Sequence, residues 1–204
     1  MFFFFDLRKM ISINNKLRQA VVGIAGLGGL GSAVAVALAR SNIGKLIIAD
    51  FDTVDAGNLN RQQYFVDQVG KVKVDAMIEN LKRINPDVKV KAHQQKLNPD
   101  NIGEIFAGAN VIAECFDKAE EKQMLVETVL TRMDKPIIVS VSGLAGYGNS
   151  NEITTRRISN RLILVGDGKN GIDSGQPLTA ARVGIAASHQ ANAIVEVIVD
   201  GIKG

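Results

Sequence analysis

The sequence predicts an α/β protein: a doubly wound, mainly parallel sheet with a small antiparallel extension near the C-terminus. Three observations predict it. Short β-branched runs alternate with helix-forming stretches from about residue 20 to residue 143. The first run ends in a glycine-rich turn, "GLGGLGS", that opens an alanine-rich helix. After Gly143 the texture changes to "EITTRRISNRLILVG" (152–166), which reads as one or two antiparallel strands. Alternation of strands and helices winds a parallel sheet with helices on both faces, and a glycine turn after the first strand makes that sheet Rossmann-like.

The elements run in order. "AVVGIAG" (20–26) is an apolar run ending in glycine, as a buried parallel strand requires. Ser32 to Arg40 is a helix by its alanines, and "KLIIAD" (45–50) is the second strand. From about Gly70, Val74, Met77, Ile78, Leu81 and Ile84 recur at helical spacing until "NPD" stops the run. "VKVKAH" (88–93) alternates like a strand, and "NVIAECFD" (110–117) is a further apolar strand. Residues 119–133 read as a helix, "KPIIVSVSG" (135–143) as a strand, and a long helix runs from about Leu178 to Val199. With neither internal repeat nor second core, residues 1–204 are expected to form one nucleotide-binding domain. It would carry an N-terminal arm over 1–19 and a mobile, glycine-rich polar loop over 166–177.

Composition bounds the function. Hydrophobic residues are 46% and charged residues 22%, the balance of a soluble globular protein, and the net charge is only +3. No basic tract interleaved with aromatics marks a nucleic-acid footprint, so no nucleic-acid partner is expected. One cysteine, Cys115, rules out a disulfide framework and a cysteine-based zinc site, so no zinc is expected. No stretch has the length of a membrane span, and "MFFFFDLRK" lacks the basic start of a signal segment. We therefore expect a cytoplasmic protein with no membrane partner.

Gly26, Gly28 and Gly31 satisfy G-x-G-x-x-G, with Gly29 a fourth glycine, in the strand–turn–helix context that the motif needs. Glycines let the backbone approach a phosphate, and the helix N-terminus offers free N–H groups and partial positive charge. Asp50 ends the second strand, where a carboxylate can accept from ribose hydroxyls. A packing turn without ligand is the bland alternative. The residues after Asp50 decide between ligands. The stretch "DFDTVDAGNLNRQQY" (50–64) carries a polar cluster that hydride chemistry does not need. No P-loop pattern is present, so a triphosphate must meet its charge elsewhere. Arg61 supplies a planar fork for phosphate oxygens, and Lys73 a point charge. Asn58 and Gln62 can orient phosphate or metal-bound water. Asp117, at the carboxyl end of its strand, could hold Mg²⁺.

"GIAGLGGLGS", "DFDTVDAGNLNRQQY", "VGKVKVDA" and "ECFD" occur in the order and at about the spacing seen in the ThiF/MoeB/HesA family of ubiquitin-activating-enzyme-like adenylyltransferases, which this chain resembles over residues 18 to 143. "PLTAARVGIAASHQANAIVEVIV" looks like the family's closing helix. The resemblance implies ATP- and Mg²⁺-dependent adenylation of the C-terminal glycine of a small ubiquitin-like sulfur carrier ending in Gly-Gly. It looks most like the compact ThiF-like branch linked to thiamine thiazole synthesis. It also implies roles: Asp50, with Asp52 beside it, for the nucleotide; Arg61 for the phosphates; Lys73 at the α-phosphate; Asp117 for Mg²⁺. Asn58 and Gln62 fall in the same motif. The family's paired C-x-x-C motifs are missing, and so is a cysteine before the last helix, so no covalent carrier–enzyme intermediate is expected. The family's "D-N" is Asp117-Lys118 here. Some members borrow an arginine from a partner subunit, and Arg8 or Arg18 is available for that. The run Phe2 to Phe5 makes a homodimer contact a fair expectation. Two other readings stay open: an NAD-dependent oxidoreductase, which leaves Arg61, Lys73 and Asp117 without work, and a nucleotide-binding partner that has lost catalysis. Activation of another carrier, peptide or tRNA-linked carboxylate is the nearer rival. Cys115, His93, His189 and Lys71 are read as structural or surface residues, and Arg156 and Arg157 as edge charges.

Overall fold

The structure is a computed structural model that describes residues 7–171 and 174–201. Seven strands form one sheet in the order β3-β2-β1-β4-β5-β7-β6. They are β1 (Val21–Ala25), β2 (Lys45–Ala49), β3 (Lys89–His93), β4 (Val111–Glu114), β5 (Ile137–Val141), β6 (Thr154–Ser159) and β7 (Leu162–Gly166). Six helices surround it: α1 (Leu7–Gln19), α2 (Gly29–Arg40), α3 (Lys73–Ile84), α4 (Ile102–Ile105), α5 (Ala119–Arg132) and α6 (Ala180–Asp200). All neighbours pair in parallel except β6 with β7. This is the doubly wound sheet that the alternation predicts.

The period of two along each strand divides the core. Val22 and Ile24 of β1 and Leu46 and Ile48 of β2 join the face covered by α1, α2, α3 and α6. Ala25, Ile47 and Ala49 join the opposite face, where Phe106 and residues of α4 and α5 pack. Both faces are buried, which explains why these strands read as continuous apolar runs. Gly23 sits where Phe106 crosses β1: a Cβ there would lie 2.6 Å from its ring.

Several boundaries differ from the sequence reading, each for a local reason. The helix expected from Gly70 starts at Lys73, because Gly70 and Lys71 are held in backbone pairing with Val54. The strand expected to reach Asp117 ends at Glu114, whose own carboxylate takes the Phe116 N–H and turns the chain. The antiparallel extension is one strand wide. A two-residue turn at Asn160 and Arg161 folds β6 back on β7, while β7 itself joins β5 in parallel. Of the N-terminal arm, residues 7–19 form a helix tied into the sheet side, with Leu17 buried and its carbonyl accepting from Gly44 N–H. The expectation about Phe2 to Phe5 lies outside the described residues. So do positions 172 and 173 of the 166–177 loop. Residues 167–170 of that loop are held to α6: the Asp167 carboxylate accepts from the Lys169 and Asn170 amides and from Arg182. No helix among the described residues is long and apolar enough to cross a membrane.

Candidate functional site

The chain runs from β1 to β3 on one side of the sheet and from β4 onward on the other. The strand order therefore reverses between β1 and β4, and ligands of such sheets bind in the crevice beyond that point. A cavity of about 480 Å³ opens there. It is lined by Gly26, Gly28, Gly29, Asp50, Asp52, Asn58, Arg61, Gln62, Lys73 and Asp117. These residues lie between positions 26 and 117 and come from the ends of β1, β2 and β4, the starts of α2 and α3, and the segment between β2 and α3.

The glycines divide the work. Gly26 leaves β1 with φ +89°, a left-handed turn that favours glycine. Gly28 precedes the first turn of α2 with no side-chain cap, so the helix N-terminus presents its unspent N–H groups to the cavity. Gly31 does not line the cavity. A Cβ there would lie 1.9 Å from the Gly26 carbonyl oxygen, so its task is to let α2 pack against the turn.

The turn is clamped from both sides. Leu27 N–H donates to Asp50 Oδ2 at 2.6 Å, and Asp52 N–H donates to Asp50 Oδ1 at 2.8 Å. From the other side, the Tyr64 hydroxyl donates to the Leu27 carbonyl at 2.9 Å. Burial, with the charges of Asp50 and Asp52 adding to it, pushes the Tyr64 phenol far above its ordinary range, so it remains a donor. Gln63 N–H donates to Ser32 Oγ at 3.0 Å, fastening the same segment to α2. The end of "NLNRQQY" is thus a brace for the phosphate turn, a role that its composition did not announce.

Arg61 enters the cavity already oriented. Its two terminal nitrogens donate to Asn60 Oδ1 at 2.9 Å and Asn58 Oδ1 at 2.8 Å. Asn58 therefore supports the guanidinium as well as lining the cavity. Lys73 is buried, and its Nζ lies 2.8 Å from Asp52 Oδ2 and 4.0 Å from Asp50 Oδ2. Its ammonium sits among carboxylates with donor capacity to spare. Gln62 is 8% exposed and its Oε1 has no hydrogen-bond partner. A buried acceptor left unpaired beside a polar cavity is what a ligand or its water would satisfy.

Asp117 stands exposed on the turn between β4 and α5 and lines the cavity. No group of three or more His, Cys, Asp or Glu side chains that could cage a metal exists among the described residues. One carboxylate beside a phosphate cradle is nonetheless the donor set that suits Mg²⁺, which keeps waters and takes its remaining oxygens from the nucleotide. The residues therefore fit Mg²⁺ brought in with phosphates.

Sequence reading missed six side chains that build the frame. Glu114 is fully buried at the end of β4, with Lys122 and Ser140 on its carboxylate. Gln190 of α6 is also fully buried, and its amide donates to the Glu114 and Val139 carbonyls at 2.9 and 2.7 Å. Arg182 pairs with Asp167 at 2.6 Å. The partners lie 8 to 76 positions apart, too far for most of them to leave a local signal. Cys115 is a small buried side chain whose thiol burial pushes far up, and its Sγ lies 3.5 Å from Gln190 Oε1. Lys71 pairs with Glu79 at the surface.

The chain is similar to proteins of known sequence and known structure. It is 40% identical over 134 residues to the "Adenylyltransferase and sulfurtransferase uba4" of Aspergillus niger, an alignment covering 65% of this chain and 27% of that protein. It is 30% identical over 149 residues to the "tRNA threonylcarbamoyladenosine dehydratase" of Haemophilus influenzae, covering 72% of this chain and 56% of that one. The chain thus spans about a quarter to a half of the length of these curated relatives. Among solved structures, Escherichia coli TcdA in complex with ATP superposes with TM-score 0.82 at 22% identity, over 92% of this chain and 89% of that one, which shows the fold. Escherichia coli MccB with ATP superposes with TM-score 0.72 at 27% identity, over 94% of this chain and 59% of that one. The profile of the ThiF family matches residues 8–200, nearly the whole of the described chain, and the protein belongs to that family.

Proposed function

We propose that the chain activates a carboxylate with ATP, forming an acyl-adenylate and pyrophosphate. Its substrate in this reading is the C-terminal glycine of a ThiS-like, ubiquitin-like sulfur carrier, in the service of thiamine thiazole synthesis. One observation carries the reading. The uncapped N-terminus of α2, the braced Arg61 and the buried Lys73 share one cavity with Asp117. That combination suits a polyphosphate, and a dinucleotide cofactor would leave half of it without work.

In this reading a carboxylate oxygen of the carrier's last glycine attacks the α-phosphorus. The bond from that phosphorus to its bridging oxygen breaks, and pyrophosphate leaves with the electron pair. No proton need move and no covalent bond to the protein forms. The residues supply position and charge. Asp50 accepts from ribose hydroxyls, and the amides at Gly28 and Gly29 meet phosphate oxygens. Arg61 grips the outer phosphates, while Lys73 offsets charge growing at the α-phosphate. Asn58 and Gln62 orient phosphate or metal-bound water. Mg²⁺, held by Asp117 and phosphate oxygens, would neutralise the departing pyrophosphate when bound. A homodimer is part of the same proposal. Met10 and Ile11, 42% and 52% exposed on α1, come soon after the Phe2–Phe5 run in sequence. Light scattering at twice the 21.9 kDa chain mass is the expected reading.

A second substrate, a carboxylate borne by tRNA, is favoured by the Haemophilus relative, whose alignment reaches 72% of this chain. ATP–pyrophosphate exchange separates the two. Exchange is expected with a Gly-Gly-ended ThiS-like carrier and not with tRNA bearing a carboxylate-modified nucleoside. The reverse result moves the substrate to tRNA. No exchange with either, in protein that binds ATP, overturns the adenylation reading.

A further inference from the structure

Glu114 ends β4 with its side chain fully buried. Its carboxylate collects donors from three different elements. Oε1 accepts from the Phe116 N–H at 2.7 Å, on the turn that carries Asp117. Both oxygens accept from Lys122 Nζ, at 3.0 and 3.1 Å, one turn into α5. Oε2 accepts from Ser140 Oγ at 2.6 Å and lies 3.4 Å from the Val141 N–H, at the end of β5. The same face of the sheet is otherwise apolar there, with Ala25, Ile112 and Ile138 all fully buried. A buried ion pair in such a place adds little net stability over an apolar side chain of similar size. Its geometry does achieve something an apolar side chain does not: it fixes the turn 115–118 against β5 and against the first turns of α5. Lys122 itself lines the cavity, so the network ends at the cavity wall.

We propose that Glu114 is a positioning residue for the nucleotide site, acting through Asp117. It holds the Phe116 amide and Lys122, and so sets where the Asp117 carboxylate stands on the cavity rim. This rests on the reading of the cavity as an ATP site. Glu114→Gln keeps the volume but turns its amide donor toward the Lys122 ammonium in either orientation, because Lys122 bonds both oxygens, and toward the Phe116 N–H in one of them. Lys122 must then move, and the turn loses its tie to the first turns of α5. Positioning partners of metal-holding groups are typically worth roughly 10- to 100-fold.

The test is calorimetric binding of ATP, without carrier, as MgCl₂ is titrated, in wild type, Glu114→Gln, Asp117→Ala and the double variant. Glu114→Gln and Asp117→Ala are each expected to weaken binding at saturating Mg²⁺ by roughly 10-fold or more, with little change in its absence. The double variant is expected to bind within about twofold of Asp117→Ala, because two residues acting through one point do not multiply. Multiplied effects would show that Glu114 works on the fold at large and overturn the proposal. Equal binding by wild type and Glu114→Gln would also overturn it. If Glu114→Gln does not fold, Ser140→Ala removes one donor of the same carboxylate and is expected to give a smaller loss that again vanishes in the Asp117→Ala background. Wild type that binds no ATP fails the function reading instead, so the two failures are distinguishable.

Discussion

Asp167→Asn tests whether the loop after β7 is held by charge. The Asp167 side chain is 2% exposed and that of Arg182 4%. Oδ1 accepts from the Lys169 and Asn170 amides at 2.8 and 2.9 Å, and Oδ2 from Asn170 Nδ2 and Arg182 Nη2 at 2.7 and 2.6 Å. Arg182 spends its other terminal nitrogen on the Gly148 and Asn149 carbonyls, and its Nε has no partner. Asparagine can satisfy one pair of those donors but must point its own amide hydrogens at the other. It also leaves a guanidinium buried without a counter-charge. Breaking a buried pair from one side costs about 3–5 kcal/mol, a large part of the ~5–15 kcal/mol that stabilises a domain.

Urea unfolding at a series of pH values reads this cost and its origin. Burial alone would raise the Asp167 pKa, but the four donors outweigh it and hold the carboxyl well below its ordinary value of 3.8. A carboxyl depressed on folding contributes stability that is full above the unfolded value and is lost as pH falls through the folded one. The gap between wild type and Asp167→Asn is therefore expected to be constant from about pH 5 to 8 and to shrink below pH 3.8. Replacing both partners, as in Asp167→Asn with Arg182→Met, is expected to cost less than Asp167→Asn alone. A penalty under ~1 kcal/mol at pH 7, or one that persists unchanged well below pH 3.8, would refute the reasoning.

Two further predictions concern the cavity itself. Arg61→Ala is expected to lower ATP–pyrophosphate exchange at least ~100-fold, and Asn58→Ala only ~10-fold, since Asn60 still holds one terminal nitrogen. If Asn58 acts by holding Arg61, adding Asn58→Ala to Arg61→Ala changes nothing further; a multiplied loss assigns Asn58 a contact of its own. Gly31→Ala drives a Cβ to 1.9 Å from the Gly26 carbonyl oxygen, so melting should show a loss of about 2–3 kcal/mol, roughly 5–10 °C. Gly28→Ala meets nothing nearer than Gln62 Nε2 at 4.0 Å, and should melt normally while binding ATP more weakly. Equal melting of the two variants contradicts the division of labour among the glycines.

Short-range physics controls the part of the molecule that was legible in the sequence. The turn from Gly26 to Gly31 needs small residues within six positions, and the strands on either side must be apolar because both their faces are covered, so fold class and phosphate turn could be read together. Arg61, Lys73 and Asp117 could be proposed because charge with no other employment stood near strand ends, and the fold brings all three to one cavity. The groups that support them could not be read. Helix α1 was hidden because polar residues such as Asn14 and Asn15 interrupt its apolar stripe and the adjoining Phe run dominates the composition. Tyr64 looked like the end of a polar motif, yet it meets the glycine turn from 37 positions away.

Glu114 shows the limit most sharply. Within "VIAECFD" it reads as a charge at the end of an apolar strand, where a solvated side chain is the ordinary case. Only pairing with β5 and packing by α5 make it the most enclosed carboxylate of the described chain. In the sheet, β1 and β4 are neighbours and the cavity lies beyond both. Each strand therefore ends in a carboxylate-braced turn: Asp50, across from β1, takes the Leu27 amide, and Glu114 takes the Phe116 amide. One brace sets the phosphate turn and the other sets the turn bearing Asp117. The two walls of the cavity are then held to the same rigid sheet by the same device. Rigid placement matters most for a reaction whose catalysis is position and charge alone, because a displacement of about 1 Å is enough to cost ~100-fold in rate.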